Sequence, residues 1–143
     1  MNDIIATLYD RLFDWEAYQE LSGMVFENLD YGKLGWILII VPLLVLTAFY
    51  KFWDPVRNSK LKWYVTMLFI IVILYAGASL VLYNNFEIIQ YIGNYTGEEG
   101  QVNADYFIFQ MGIITLLYGL IIAFILSILP FRLISTNNRH NPF

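Results

Sequence analysis

One histidine, His140, stands near the end of this chain, and there is no cysteine. Disulfides, iron–sulfur ligation and thiol catalysis are therefore out of reach. A haem or transition-metal site, which draws on histidine or cysteine, has no ligands in the apolar parts of the chain. The acidic pair Glu98-Glu99 has the type to attract a cation, but two acids between Gly97 and Gly100 read as a solvated turn. Asn94-Tyr95-Thr96 has the N-glycosylation spacing, a three-residue pattern that also arises by chance. There is no phosphate-cradling loop, HExxH pair, nucleophile elbow or paired-carboxylate motif. The reading is a non-enzyme with no catalytic, cofactor-binding or metal-binding residues. A formal net charge of −4 argues against a nucleic-acid partner.

The elements that carry these residues are dominated by three apolar runs, Leu34 to Tyr50, Trp63 to Tyr83 and Tyr106 to Phe131. None contains Lys, Arg, Asp, Glu or His, and each approaches or exceeds the ~20 residues a helix needs to cross a ~30 Å hydrocarbon layer. Charged residues make up 14% of the chain, against about 25% in a typical soluble domain. The expected fold is an all-α integral membrane protein: one domain, three transmembrane helices at 34–50, 63–83 and 106–131, preceded by an amphipathic amino-terminal helix. The third run is long enough to tilt or to project beyond the membrane, and Pro130 is its expected stop.

Within the third run, Gly112, Thr115, Gly119, Ala123 and Ser127 recur at spacings of three and four. Such a small-residue stripe lets helix backbones approach closely where lipid gives no hydrophobic drive between them. It packs either on the chain's own helices or on another subunit. Ala76, Gly77, Ala78 and Ser79 on the second run are its candidate partner within the chain. Gln110 is the most polar side chain near the membrane in the third run. An interhelical hydrogen bond is the plainer reading, and a pore or substrate contact the sharper one. Tyr75 and Tyr118 fall inside spans, where each hydroxyl needs a partner.

Ahead of the first span, Ile5, Leu8, Leu12 and Trp15 recur on one helical face, opposite Asp3, Thr7, Asp10 and Asp14. Asn2 is a candidate cap, and Ser22-Gly23 a candidate break. Gly32 and Gly35 would let the chain bend as it enters the membrane. The polar face carries Asp where membrane-surface helices carry Lys and Arg, which favours protein docking through Ile5, Leu8, Leu12 and Trp15.

Lys and Arg set the expected orientation. The loop 51–62 carries Lys51, Arg57, Lys60 and Lys62 against Asp54, and the tail 132–143 carries Arg132 and Arg139 with no acid. The segment 1–31 is acidic, and 84–105 carries four acids and no base. This predicts a multi-pass protein of an inner or plasma membrane, amino terminus outside and carboxyl terminus cytoplasmic. The leading functional expectation is a scaffold, anchor or accessory subunit whose partners are lipid and other membrane subunits, as a homo- or hetero-oligomer. A homo-oligomeric pore is the alternative, for the chain is similar to phage-type holins in span count and predicted topology alone. An immunity protein against a membrane-active toxin is a third.

Overall fold

The computed structural model describes residues 1–12, 17–52, 59–97 and 101–131. All regular structure among these residues is helical: α1 (Asn2–Asp10), α2 (Gln19–Glu27), α3 (Asp30–Thr47), α4 (Ser59–Tyr83), α5 (Phe86–Gly93) and α6 (Ala104–Leu126). α3 runs on into a π turn, Ala48–Phe52, and α6 into another, Ser127–Phe131. Two asparagines start the helices that follow the second span. The Asn85 side chain accepts from the amides of Glu87 and Ile88, and that of Asn103 from Tyr106; each satisfies amides that have no partner inside the helix.

Three stretches are long and apolar enough to cross a membrane: Asp30–Phe52, Ser59–Tyr83 and Ala104–Leu129. Only 33% of each apolar window is buried inside the protein. Trp36, Leu44, Leu68, Leu80 and Ile121 are among the large side chains left facing outward, a surface suited to lipid rather than water. The protein is thus all-helical and membrane-embedded. α4 and α6 pack most extensively, and α3 lies against both. The helices are antiparallel in sequence. At one end the Tyr83 hydroxyl donates to Asp105, and at the other the Trp63 indole N–H donates to Ser127. The first end also carries α2 and α5, and is called the acidic end below. The second carries Lys51, Lys60 and Lys62, and is called the basic end.

Several local expectations are corrected. Ser22-Gly23 is no break but lies inside α2. Ser22 is fully buried and its hydroxyl meets that of Tyr31 at 3.0 Å, so it serves packing rather than a turn. The chain turns instead at Leu29, which adopts the left-handed conformation at φ 58°. That backbone costs a non-glycine residue roughly 1–2 kcal/mol. Gly32 and Gly35 do not bend the chain; both lie within α3. Gly35 instead leaves room for another helix, since a Cβ there would stand 2.7 Å from Ile5 Cγ1 and 2.8 Å from the Met1 methyl. Asn2 is not a cap but the first residue of α1. Its amide donates to Phe26 O at 3.1 Å, and its side-chain oxygen accepts from Gly32 N at 2.9 Å. Pro130 lies in the π turn that closes the third span, one residue before the end of the described residues. Pro42, inside α3, is the proline that removes a helix donor, leaving the Leu38 carbonyl without its usual partner.

Candidate functional site

The polar residues of the bundle gather in three places, each a junction between helices. The first lies at the acidic end. Asp30 opens α3 and is fully buried. Its carboxylate accepts from Asn85 Nδ2 at 2.7 Å, from Lys33 Nζ at 2.6 Å and from Asn28 Nδ2 at 3.3 Å. Asn85 Nδ2 also approaches Met24 O at 3.4 Å. One asparagine thus caps α5 with its oxygen and ties α2 and α3 together with its nitrogen. In the sequence, Asp30 is one acid of the amino-terminal segment and Asn85 one polar residue of the segment 84–105. The available signals were an acid opening an apolar run and an asparagine two residues before Glu87, both features of helix starts.

The second junction docks α1. Tyr9 is fully buried, and its hydroxyl lies 2.6 Å from the Thr115 hydroxyl. Thr115 donates to Met111 O at 2.7 Å, so Tyr9 is the donor of the pair. Tyr118 donates to Leu8 O at 2.8 Å, which supplies the partner its hydroxyl needs. The Tyr9 ring meets Tyr31 edge-on at 5.7 Å and Tyr118 at 6.1 Å. Burial raises the Tyr9 hydroxyl well above the ordinary tyrosine range, and desolvation also raises the Asp10 carboxyl. Of the expected docking face, Ile5 and Leu8 are half-buried and Leu12 is exposed, while Trp15 lies outside the described residues. The buried positions of α1 are instead Ala6 and Tyr9, because α1 presents the Ala6/Tyr9 edge to α3 and α6.

The third set is the small-residue stripe of α6, whose contacts run within the chain. A Cβ on Gly112 would stand 2.7 Å from the Tyr75 ring, and one on Gly119 would collide with Leu74. Thr115 receives Tyr9, and Ala123 is fully buried in the core at the basic end. The Ser127 hydroxyl lies 2.6 Å from that of Tyr50 and 2.8 Å from Trp63 Nε1. The stripe therefore joins α6 to α1, to α4 and to the π turn after α3. Gly77, read as a partner for this stripe, faces Ile37 of α3 instead, with 3.4 Å to a Cβ built there.

Beyond these junctions, a cleft of about 600 Å³ opens at the acidic end between α2, α5 and the connection to α6. Glu20, Glu27, Glu87, Gln90, Tyr91 and Gln101 are among the residues lining it. Asn94 lies on its wall and is exposed. Gln110 does not make the expected interhelical bond through its oxygen: Oε1 is buried without a hydrogen-bond partner among the described residues. Glu98 and Glu99 lie outside those residues. No group of three potential metal ligands comes together among the described residues, and the buried hydroxyls lie against hydroxyls, carbonyls and an indole rather than against a base. The arrangement can hold helices together and present an acidic recess. Comparison of the chain with protein-family models, curated proteins and solved structures gives no match.

Proposed function

We propose that this protein is a non-catalytic integral membrane subunit: a scaffold, anchor or accessory component of a larger membrane assembly. The observation that carries this reading is the use to which the interior polar groups are put. Asp30, Asn85, Tyr9, Thr115, Tyr50, Trp63 and Ser127 all hold one helix to another. What is left for a partner is on the outside: the acidic cleft and a broad apolar flank. Lys and Arg support an orientation with the acidic end outside and the basic end in the cytoplasm.

The deciding experiment is isolation of the full chain from its native membranes in mild detergent. A stable complex with other membrane proteins, weakened by Glu20→Lys together with Glu87→Lys, is the expected result. A lone monomer, with every membrane complex intact after deletion of the protein, would overturn it. Collapse of the membrane potential on induced expression would favour the pore reading. Orientation is read separately with an impermeant thiol reagent on intact cells, the native chain having no cysteine. Asn94→Cys should label and Ser59→Cys should not.

A further inference from the structure

At the basic end a second recess, of about 450 Å³, lies between α3 and α4. Its walls are Val45, Ala48, Phe49 and Phe52 on one side and Thr66 and Phe69 on the other. It exists because of how α3 ends. The π turn Ala48–Phe52 widens the backbone there, and Ala48 contributes only a methyl group. Phe52 and Phe69 are mostly exposed and stand as the outer walls. The Thr66 hydroxyl is turned back onto Lys62 O at 2.8 Å, so even the polar residue of the lining asks nothing of an occupant. The recess is fit for hydrocarbon.

Hydrocarbon alone would not make it selective. An acyl chain that leaves bulk lipid for a protein groove exchanges one apolar medium for another, so preference must come from the headgroup. Two lysines next to the lining residues along their helices can carry that preference. Lys62 is one helical turn before Thr66 on the same face of α4, and Lys51 adjoins Phe52. Among the described residues neither lysine forms an ion pair; the one salt bridge is Lys33–Asp30. The segment 51–62 holds four basic residues against Asp54, and basic pockets between membrane helices attract anionic headgroups. A second copy of the chain fits less well, since close helix contacts in membranes use small residues and this opening is flanked by two phenylalanines.

We infer that the recess is a lipid site. It seats an acyl chain of an anionic phospholipid from the leaflet at the basic end, with the phosphate held by Lys51 and Lys62. The site is independent of the subunit reading and would stand if that reading failed.

The test uses the full chain in detergent, titrated with dioleoyl phosphatidylglycerol or dioleoyl phosphatidylcholine and read by native mass spectrometry. The wild type should retain the anionic lipid at roughly tenfold lower concentration than the zwitterionic one. Lys51→Gln with Lys62→Gln should bring the two lipids together while leaving lipid-free thermal unfolding unchanged. Ala48→Leu, which fills the recess, should weaken retention of both. If Ala48→Leu fails to fold, the headgroup comparison alone decides. Equal retention of the two lipids by the wild type overturns the site. So does an Ala48→Cys disulfide between two copies that forms in phosphatidylglycerol vesicles, because it would place a second chain where the lipid belongs.

Discussion

The Tyr9 hydroxyl donates to the Thr115 hydroxyl across 2.6 Å, joining a helix that precedes all three spans to the twelfth of the 23 residues of α6. Removing the donor and removing the acceptor should differ. Tyr9→Phe leaves Thr115 still bonded to Met111 O and should cost about 0.5–1.5 kcal/mol. Thr115→Val leaves a buried tyrosine hydroxyl unsatisfied and should cost more, about 1–3 kcal/mol. Tyr9→Ala, which also forfeits the buried ring, should cost about 3–5 kcal/mol. Unfolding in mild detergent ranks the three; equal losses for the first two would mean the hydroxyl pair carries no weight.

The stripe should respond to added volume at one position above others. Gly119→Ala forces Leu74 to move and should destabilise by about 1–3 kcal/mol. Leu117→Ala, on the exposed side of the same helix, should change stability far less. Gly119→Ala combined with Leu74→Ala should cost less than the two single changes added together. Strict additivity in thermal unfolding would separate the two residues.

Asp30 and Lys33 form one ion pair but should not matter equally. Asp30 is fully buried, whereas the Lys33 side chain is 55% exposed. Lys33→Gln should cost no more than about 1 kcal/mol. Asp30→Ala strips partners from Asn85 and Asn28 together and should cost about 2–3 kcal/mol. Comparable losses from the two changes, measured by unfolding in the same detergent, would contradict the burial difference.

Asp10 sets a pH dependence of definite sign. Burial raises its carboxyl above the ordinary range, so the folded chain holds this proton more tightly than the unfolded chain. Its contribution is full below the unfolded value of about 3.9 and is lost as pH rises through the raised one. Asp10→Asn should therefore be more stable than wild type at neutral pH, with the gap closing on acidification. Other carboxylates titrate too, so the informative quantity is the difference between the two melting curves at each pH. A gap that does not change with pH would contradict the shift.

Spans were legible because a long run without charge has few meanings in water or in lipid. The runs found in the sequence fall within α3, α4 and α6 and their π turns. The junctions were not legible, because each joins residues far apart along the chain. Tyr9 reads as one more member of an amphipathic helix until Thr115 stands opposite it. Ser22, Gly32 and Gly35 have turn-forming types, yet tertiary contacts with Tyr31, Asn2 and Ile5 put them to other use. The stripe on α6 was visible as spacing, but not its partners, since small residues mark close approach without saying by what.

The separations along the chain also order its birth. Asn85 is 55 residues downstream of Asp30, and Thr115 is 106 downstream of Tyr9. At ~5–20 residues per second of synthesis, α1 emerges several seconds before its anchor exists. The Asp30 carboxylate waits for Asn85, and until α6 is threaded into the bilayer Tyr9 of α1 lacks the Thr115 hydroxyl. The helix made earlier is settled later, so a stall between the second and third spans would leave an unmoored amphipathic segment, a ready handle for membrane quality control.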